Sequence, residues 1–140
     1  MPAATKPFGH LLKTLDKLIE DRFTTVLELH RLSRGQWRLL SVLAATQSTL
    51  GQLDEAMASF PDQSTRESSD VFLEPLLSGG LVAEKGGVFR LTDAGRTEYR
   101  RAREDLEGVR DATVQGLAGG EYDRTVRVLE KMIDNLTEPE

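Results

Sequence analysis

Histidine and cysteine, two side chains that often carry catalysis or bind metals, are scarce in this sequence. It contains two histidines, His10 and His30, which lie far apart along the chain, and no cysteine. Without cysteine there is no disulfide, no thiolate metal ligand and no thiol redox switch. No nucleophile–base set, phosphate-binding loop or metal-ligand spacing occurs. We therefore expect no enzymatic activity, no metal site and no cofactor.

A different chemistry is concentrated in residues 63–69, Gln-Ser-Thr-Arg-Glu-Ser-Ser. Amide, hydroxyl and guanidinium side chains are suited to contacts with the base edges and phosphates of nucleic acid. The net charge of the whole chain is −5, which counts against a protein that coats nucleic acid without specificity. A local basic patch within an acidic protein still permits specific binding.

The bulk composition is that of one soluble, helix-rich domain. The 140 residues are 39% hydrophobic and 29% charged, and a chain of this length can bury a substantial core. No apolar run is long enough to span a membrane, and the N-terminus has no apolar signal core. We therefore expect a cytoplasmic protein with no membrane partner.

Hydrophobic periodicity predicts a series of helices before residue 80. Residues 8–30 have apolar side chains at steps of three and four, which predicts one long helix. Ser33 and Thr49 are suitable N-caps for a second helix, over 34–46, and a short third helix. Residues 64–67 have the spacing of a capping box, which predicts the start of a fourth helix that runs to Gly79. Pro75 lies inside that segment and is expected to kink the helix or end it early.

The segment Gly79–Arg96 predicts a hairpin followed by a helix. Two short apolar strands flank Gly86-Gly87, which is a hairpin pattern. Thr92 is a suitable N-cap for a long charged helix over 93–116, and a last helix follows Gly119-Gly120. The predicted fold class is mainly α with a small β-hairpin. The order of helices and hairpin is typical of a winged helix-turn-helix with dimerisation helices at both ends.

The first and last helices have apolar stripes that favour self-association. The helix over 93–116 has few apolar residues, which is explained if it bridges a DNA-reading head to a dimer base. The first helix could instead be a core helix of a monomer. The residues predicted to form the dimer interface are Phe8, Leu11, Leu12, Leu15, Leu129, Met132, Ile133 and Leu136.

Nearly the whole chain resembles the MarR family of winged-helix regulators. The residues that carry the resemblance are Leu32-Ser33 with Gln36–Leu40, Thr49–Leu53, Leu76 with Gly80–Val82, and Leu91–Arg96. The resemblance implies a homodimer that binds duplex DNA, usually as a repressor. It divides the chain into a DNA-reading head at 33–92 and dimerisation helices at 6–32 and 93–136.

The resemblance also implies a pocket for a small lipophilic or phenolic ligand between the head and the dimer base. We assign Trp37, His30 and Tyr99 to this pocket. For Trp37 itself, the sequence favours an anchor in the core or at a domain junction over a ligand-stacking role.

On this interpretation, the N-terminal part of the fourth helix enters the major groove. The residues predicted to contact DNA are Arg34, Arg38, Gln63, Ser64, Thr65, Arg66, Ser68, Ser69, Lys85 and Arg90.

Three features depart from the family pattern. Residues 62–74 contain four acidic side chains and one basic, a sum of −3. Asp54 replaces a small apolar residue, and the short wing lacks the arginine expected to enter the minor groove. These features motivate an alternative function, a MarR-like scaffold that has lost DNA readout and acts as a protein-interaction or ligand-sensing module.

Overall fold

The structure is a computed structural model that describes residues 7–60 and 68–137. Within these residues the chain forms six helices and a three-stranded antiparallel sheet. In chain order the elements are α1 (Phe8–Leu29), α2 (Arg34–Ala45), β1 (Ser48–Thr49), α3 (Leu50–Ala58), α4 (Ser69–Ser78), β2 (Val82–Lys85), β3 (Val88–Leu91), α5 (Asp93–Val114) and α6 (Glu121–Thr137). The predicted fold class is confirmed.

Helices α2 and α3 each begin with a capping box. Ser33 accepts a hydrogen bond from the Gln36 backbone N–H at 3.1 Å, and the Gln36 side chain accepts one from the Ser33 N–H at 2.9 Å. Thr49 and Gln52 form the same reciprocal pair at the start of α3. Each pair satisfies two backbone donors that a helix start leaves open. Both predicted N-caps are therefore confirmed.

The wing is a hairpin with a third strand added. Strands β2 and β3 pair through a two-residue turn, in which Gly86 and Gly87 have φ values of 61° and 82°. Positive φ at both turn positions defines the turn type that matches strand twist, and glycine adopts it without a steric penalty. Strand β1 pairs with β3 through Ser48 and Thr49. The sequence analysis did not predict β1, because two residues show no alternation.

The helix α4 differs from its prediction at its start, whereas its end at Ser78, with Gly79 as the C-cap, agrees with the prediction. Ser68 has extended backbone angles and precedes the first helical residue, so no single helix runs from residue 64 to residue 78. The predicted capping box at Ser64–Glu67 lies outside the described residues. Pro75 does not end the helix early, because α4 continues through it to Ser78. The missing proline N–H and the crowding of the preceding turn are tolerated here.

The core lies among α2, α3, α4, the sheet and the first part of α5. Gly35 lets α2 approach α4 closely, since a Cβ at this position would lie 2.2 Å from the Phe72 ring. Gly95 does the same for α5, where a Cβ would lie 2.0 Å from the Leu81 carbonyl oxygen. The buried apolar residues are Leu27, Leu32, Leu39, Leu40, Leu43, Leu53, Met57, Phe72, Leu73, Leu76, Val82, Phe89, Leu91, Ala102 and Leu106.

The chain divides into two compact units, residues 1–109 and 110–140. In the first unit, the Thr92 hydroxyl accepts a hydrogen bond from the Gly95 N–H at 3.0 Å and so caps α5 as predicted. In the second unit, the Arg110 guanidinium lies 4.6 Å from the centre of the Tyr122 ring. Helix α6 has no buried residue, and its Met132, Ile133 and Leu136 side chains are exposed.

Candidate nucleic-acid interface

Helices α3 and α4, followed by the β2–β3 wing, have the order and pairing of a winged helix-turn-helix. In this motif the second helix lies in the major groove with its N-terminal residues at base edges. Here that helix is α4. The predicted contacts Gln63, Ser64, Thr65 and Arg66 all lie outside the described residues. Their assignment stays a prediction.

The two serines predicted to contact DNA occupy different environments. Ser68 is exposed at the N-cap of α4, where a side chain can reach a partner molecule. Ser69 is fully buried, and its hydroxyl has no hydrogen-bond partner among residues 7–60 and 68–137. This burial counts against the predicted contact between the Ser69 side chain and DNA. Its backbone N–H instead donates to the Asp54 carboxylate on α3 at 3.0 Å.

The exposed face of α4 is acidic. Asp70, Val71 and Glu74 are exposed, and the helix has no basic residue between Ser69 and Ser78. The two carboxylates oppose phosphate contact, although a carboxylate can accept a hydrogen bond from cytosine. Any basic side chain that contacts phosphate must therefore come from outside α4.

The wing supplies two exposed basic side chains. Lys85 ends β2 next to the turn, and Arg90 lies in β3 opposite Ala83. Arg90 is exposed because side chains alternate along a strand, and its neighbours Phe89 and Leu91 are buried in the core. No described residue forms an ion pair or hydrogen bond with either side chain. The structure therefore leaves both available for phosphate.

The predicted phosphate contacts on α2 are engaged within the chain. Arg34 forms an ion pair with Glu20 of α1, and its guanidinium lies 4.3 Å from the centre of the Phe23 ring. The Arg38 guanidinium lies 4.7 Å from the centre of the Phe60 ring. These contacts tie α2 to α1 and to the end of α3. DNA contact by either arginine stays a prediction and requires competition with these partners.

His30 is held between two carboxylates. Its Nδ1 lies 2.7 Å from the Glu98 carboxylate, and its Nε2 lies 2.7 Å from the Asp105 carboxylate. A neutral imidazole has one N–H donor, whereas an imidazolium has two, so this geometry is satisfied by the protonated ring. Burial lowers the pKa of His30, but hydrogen bonds to Asp105 and Glu98 and their negative charges outweigh burial and raise it above 6.5.

The other two residues assigned to a ligand pocket contact each other. Trp37 and Tyr99 stack with ring centres 4.9 Å apart and an interplanar angle of 16°. This contact joins α2 to α5 and is consistent with the anchor role that the sequence favours for Trp37. Of the three assigned residues, only Tyr99 lines the cleft described next; neither Trp37 nor His30 is among its walls.

A cleft of about 210 Å³ lies beside Tyr99, between α2, β3 and α5. Its apolar walls are Ala44, Leu91 and the Tyr99 ring, and its rim has three arginines, Arg96, Arg100 and Arg103. Arg103 lies 3.8 Å from Glu107. Arg96 and Arg100 form no ion pair with a described residue. The cleft is therefore positively charged with an apolar wall.

The sequence did not predict two sets of polar contacts between residues that are far apart in the chain. One is the bond from Asp54 to Ser69, which are 15 residues apart. The other is the His30 clamp, whose partners are 68 and 75 residues away. The unusual aspartate at position 54 was a sequence signal for the first contact. No local pattern marks the second.

Within residues 7–60 and 68–137, no group of three or more histidine, aspartate or glutamate side chains could hold a metal ion. No helix in those ranges is both long and apolar enough to cross a membrane.

Solved structures that match this fold over most of the chain include MarR-family regulators. A MarR-family regulator from Silicibacter pomeroyi matches 94% of this chain and 91% of its own, at 24% identity and a TM-score of 0.65. The Mycobacterium tuberculosis MarR family protein Rv2887, in complex with DNA, matches 91% of this chain and 98% of its own, at 21% identity and a TM-score of 0.72.

Bordetella bronchiseptica BpsR, whose DNA binding is regulated by 6-hydroxynicotinic acid, matches 94% of this chain and 99% of its own, at 24% identity and a TM-score of 0.68. No family model and no curated protein matches the chain by sequence. The chain therefore has the MarR-type winged-helix fold.

Proposed function

We propose that this protein is a dimeric transcription regulator that binds duplex DNA through α4 and the wing. The observation that carries the proposal is the exposed basic wing, Lys85 and Arg90, placed directly after a helix-turn-helix. A solved structure of the same fold, Rv2887, contains DNA. Fold alone does not establish function, so the proposal depends on the exposed side chains. In this proposal the wing arginine and lysine position the protein by phosphate contact.

The test is a binding titration with a duplex from directly upstream of the protein's own reading frame. We expect the Lys85→Ala and Arg90→Ala double variant to bind more weakly and to reduce the salt dependence, by about one unit of slope for each lost phosphate contact. Lys131→Ala, on α6, is the control for a change in charge. A folded wild-type protein that binds no duplex at low salt would show the proposal to be wrong.

We also propose that the protein acts as a homodimer. The predicted α1 residues Phe8, Leu11, Leu12 and Leu15 are between 40% and 54% exposed. On α6, Met132, Ile133 and Leu136 are also exposed. Apolar patches of this kind on a soluble chain mark interaction surfaces, and two-fold proteins bind paired half-sites.

Light scattering coupled to size-exclusion chromatography measures the mass directly. We expect Leu15→Glu to shift a dimer to monomer, whereas Leu29→Glu, on an exposed position at the end of the same helix, should not. A wild-type monomer at high concentration would contradict the dimer.

We propose further that a small effector binds in the cleft beside Tyr99 and that it is an organic anion. The predicted lipophilic or phenolic character is consistent with the apolar wall, and Arg96 and Arg100 add a requirement for negative charge. An apolar cavity of about 150 Å³ holds a benzene ring, so 210 Å³ suits a single ring.

Calorimetric titration with benzoate and with neutral benzyl alcohol tests the requirement for charge. We expect benzoate to bind more tightly than benzyl alcohol. Arg100→Gln should weaken the binding of benzoate, whereas Arg101→Gln should not, because Arg101 lies outside the cleft. Equal affinity for both probes would contradict the anionic preference.

The acidic face of α4 favours one second function, a scaffold without DNA readout. Asp70 and Glu74 would suit contact with a basic protein rather than with phosphate. In that case the folded protein would bind a basic partner through α4, and Asp70→Asn with Glu74→Gln would weaken that complex. If the same double variant instead strengthens DNA binding, the acids only oppose phosphate and the first function holds.

A further inference from the structure

The start of α4 is held by a side chain from the neighbouring helix. The N-cap residue Ser68 makes no side-chain hydrogen bond to the helix. Instead, Asp54 of α3 accepts a hydrogen bond from the Ser69 backbone N–H at 3.0 Å. The first N–H groups of a helix have no partner within the helix, and an aspartate oxygen is among the best acceptors for them. Asp54 thus performs the cap of α4 from outside the helix.

The charge of Asp54 suits this position. The N-terminus of a helix has a partial positive charge, which favours a carboxylate there. The Ser69 hydroxyl and the Ser69 backbone N–H both lower the pKa of Asp54, and burial opposes them. Of these two groups, the backbone N–H forms the hydrogen bond to the Asp54 carboxylate, and the hydroxyl has no hydrogen-bond partner in the described part of the chain. Asp54 is therefore ionised when it holds Ser69.

Direct contacts between the two helices help to fix the position of α4. Helix α3 ends at Ala58 and α4 begins at Ser69, so the ten residues 59–68 separate them, whereas helix-turn-helix motifs usually have a turn of three or four residues. On α3, the apolar side chains of Leu53 and Met57 pack in the core, and such contacts are non-directional. A hydrogen bond requires a defined distance and angle, so the bond from Ser69 to Asp54 is a directional contact between α3 and α4.

We propose that Asp54 is a positioning residue for DNA reading, which sets where the N-terminus of α4 lies by holding the Ser69 N–H. This role rests on the proposed function, because it matters only if α4 enters the major groove. Asp54 itself need not touch DNA. Its effect passes through Ser69 to the exposed Ser68 and Asp70 on either side.

Three variants test the role. Asp54→Ala removes the acceptor, Asp54→Asn keeps an acceptor oxygen without the charge, and Glu55→Gln is the matched control on the next exposed position of α3. The first measurement is hydrogen exchange at the Ser69 amide by NMR. We expect exchange in Asp54→Ala to be at least about tenfold faster than in wild type, with most protection restored in Asp54→Asn.

The second measurement is affinity for the protein's own upstream duplex and for a shuffled duplex of equal length. We expect Asp54→Ala to lose about tenfold in affinity for the upstream duplex, which corresponds to about 1.4 kcal/mol. Affinity for the shuffled duplex should not change, because the phosphate contacts of the wing are intact. Asp54→Asn should recover at least half of the loss on a logarithmic scale, and Glu55→Gln should equal wild type.

Two results would overturn the proposal. Unchanged Ser69 exchange in Asp54→Ala would show that the cap does not hold the helix. Faster Ser69 exchange with undiminished preference for the upstream duplex would show that the cap does not position α4 for DNA. If wild-type protein binds neither duplex, the proposed function fails and this role fails with it, while the exchange rate still shows whether Asp54 holds Ser69.

Discussion

Replacing His30 with glutamine should change how the stability of this protein depends on pH. The imidazole connects the end of α1 to α5 through Glu98 and Asp105. Because the pKa of His30 is raised in the folded state, the folded protein binds more protons than the unfolded chain just above pH 6.5. Stability therefore falls as pH rises through the folded-state pKa. The full contribution is present below 6.5, the ordinary pKa.

The size of the effect follows from the exposure of the two partners. The Glu98 side chain is 26% exposed, so its hydrogen bond to a charged ring contributes about 1.5 kcal/mol or somewhat more. The Asp105 side chain is 61% exposed, so its contact is a screened surface pair of about 0.5 kcal/mol. We therefore expect His30→Gln to lower the free energy of unfolding by about 2 kcal/mol at mildly acidic pH.

Equilibrium urea unfolding, followed by the fluorescence of the single tryptophan, Trp37, measures this difference. The experiment is run from about pH 5.5 to about pH 9 at constant protein concentration, since association affects stability. We expect the gap between wild type and His30→Gln to narrow with rising pH. His10→Gln is the control, because His10 is exposed and its ring lies 3.4 Å from the Thr14 hydroxyl on the same helix rather than between two carboxylates. A gap that stays constant or widens with pH would refute the protonated clamp.

Three further substitutions test the packing and the caps by the same unfolding measurement. Gly95→Ala would place a Cβ 2.0 Å from the Leu81 carbonyl oxygen. We therefore expect the free energy of unfolding to fall by about 2 kcal/mol or more, and a variant as stable as wild type would contradict this close approach. Gly108→Ala, in open space on the same helix, should gain about 0.5–1 kcal/mol, and a loss would mean that the helix is not regular there. Thr92→Val removes the acceptor for the Gly95 N–H and the donor to the Gly80 carbonyl, so we expect a loss of about 1–2 kcal/mol, and no loss would show that the cap is dispensable.

The elements that sequence patterns located correctly are those whose stabilising partners are nearby in the chain. Ser33 and Thr49 each bond to a residue three positions on, so a short window contains the whole capping box. The two adjacent residues Gly86 and Gly87 likewise suffice to predict the turn of the wing. The fourth helix was the exception, since its cap comes from Asp54 rather than from the segment before it.

The candidate site was less predictable than the fold. The chemistry of an exposed residue depends on what packs beside it, and the sequence does not state this. Arg34 was assigned to phosphate on its position alone, but Glu20 and Phe23 of α1 occupy its guanidinium. Trp37 was placed in a ligand pocket, but it stacks on Tyr99.

By itself, the sequence determined the helix order, the wing turn and the caps, because periodicity, capping boxes and paired glycines act over three or four residues. Tertiary structure alone decided that Asp54 caps α4, that His30 is clamped by Glu98 and Asp105, and that β1 joins the wing. The physical reason is that these contacts connect residues brought together only by core packing, and a hydrogen bond forms only once both partners are held at the right distance and angle.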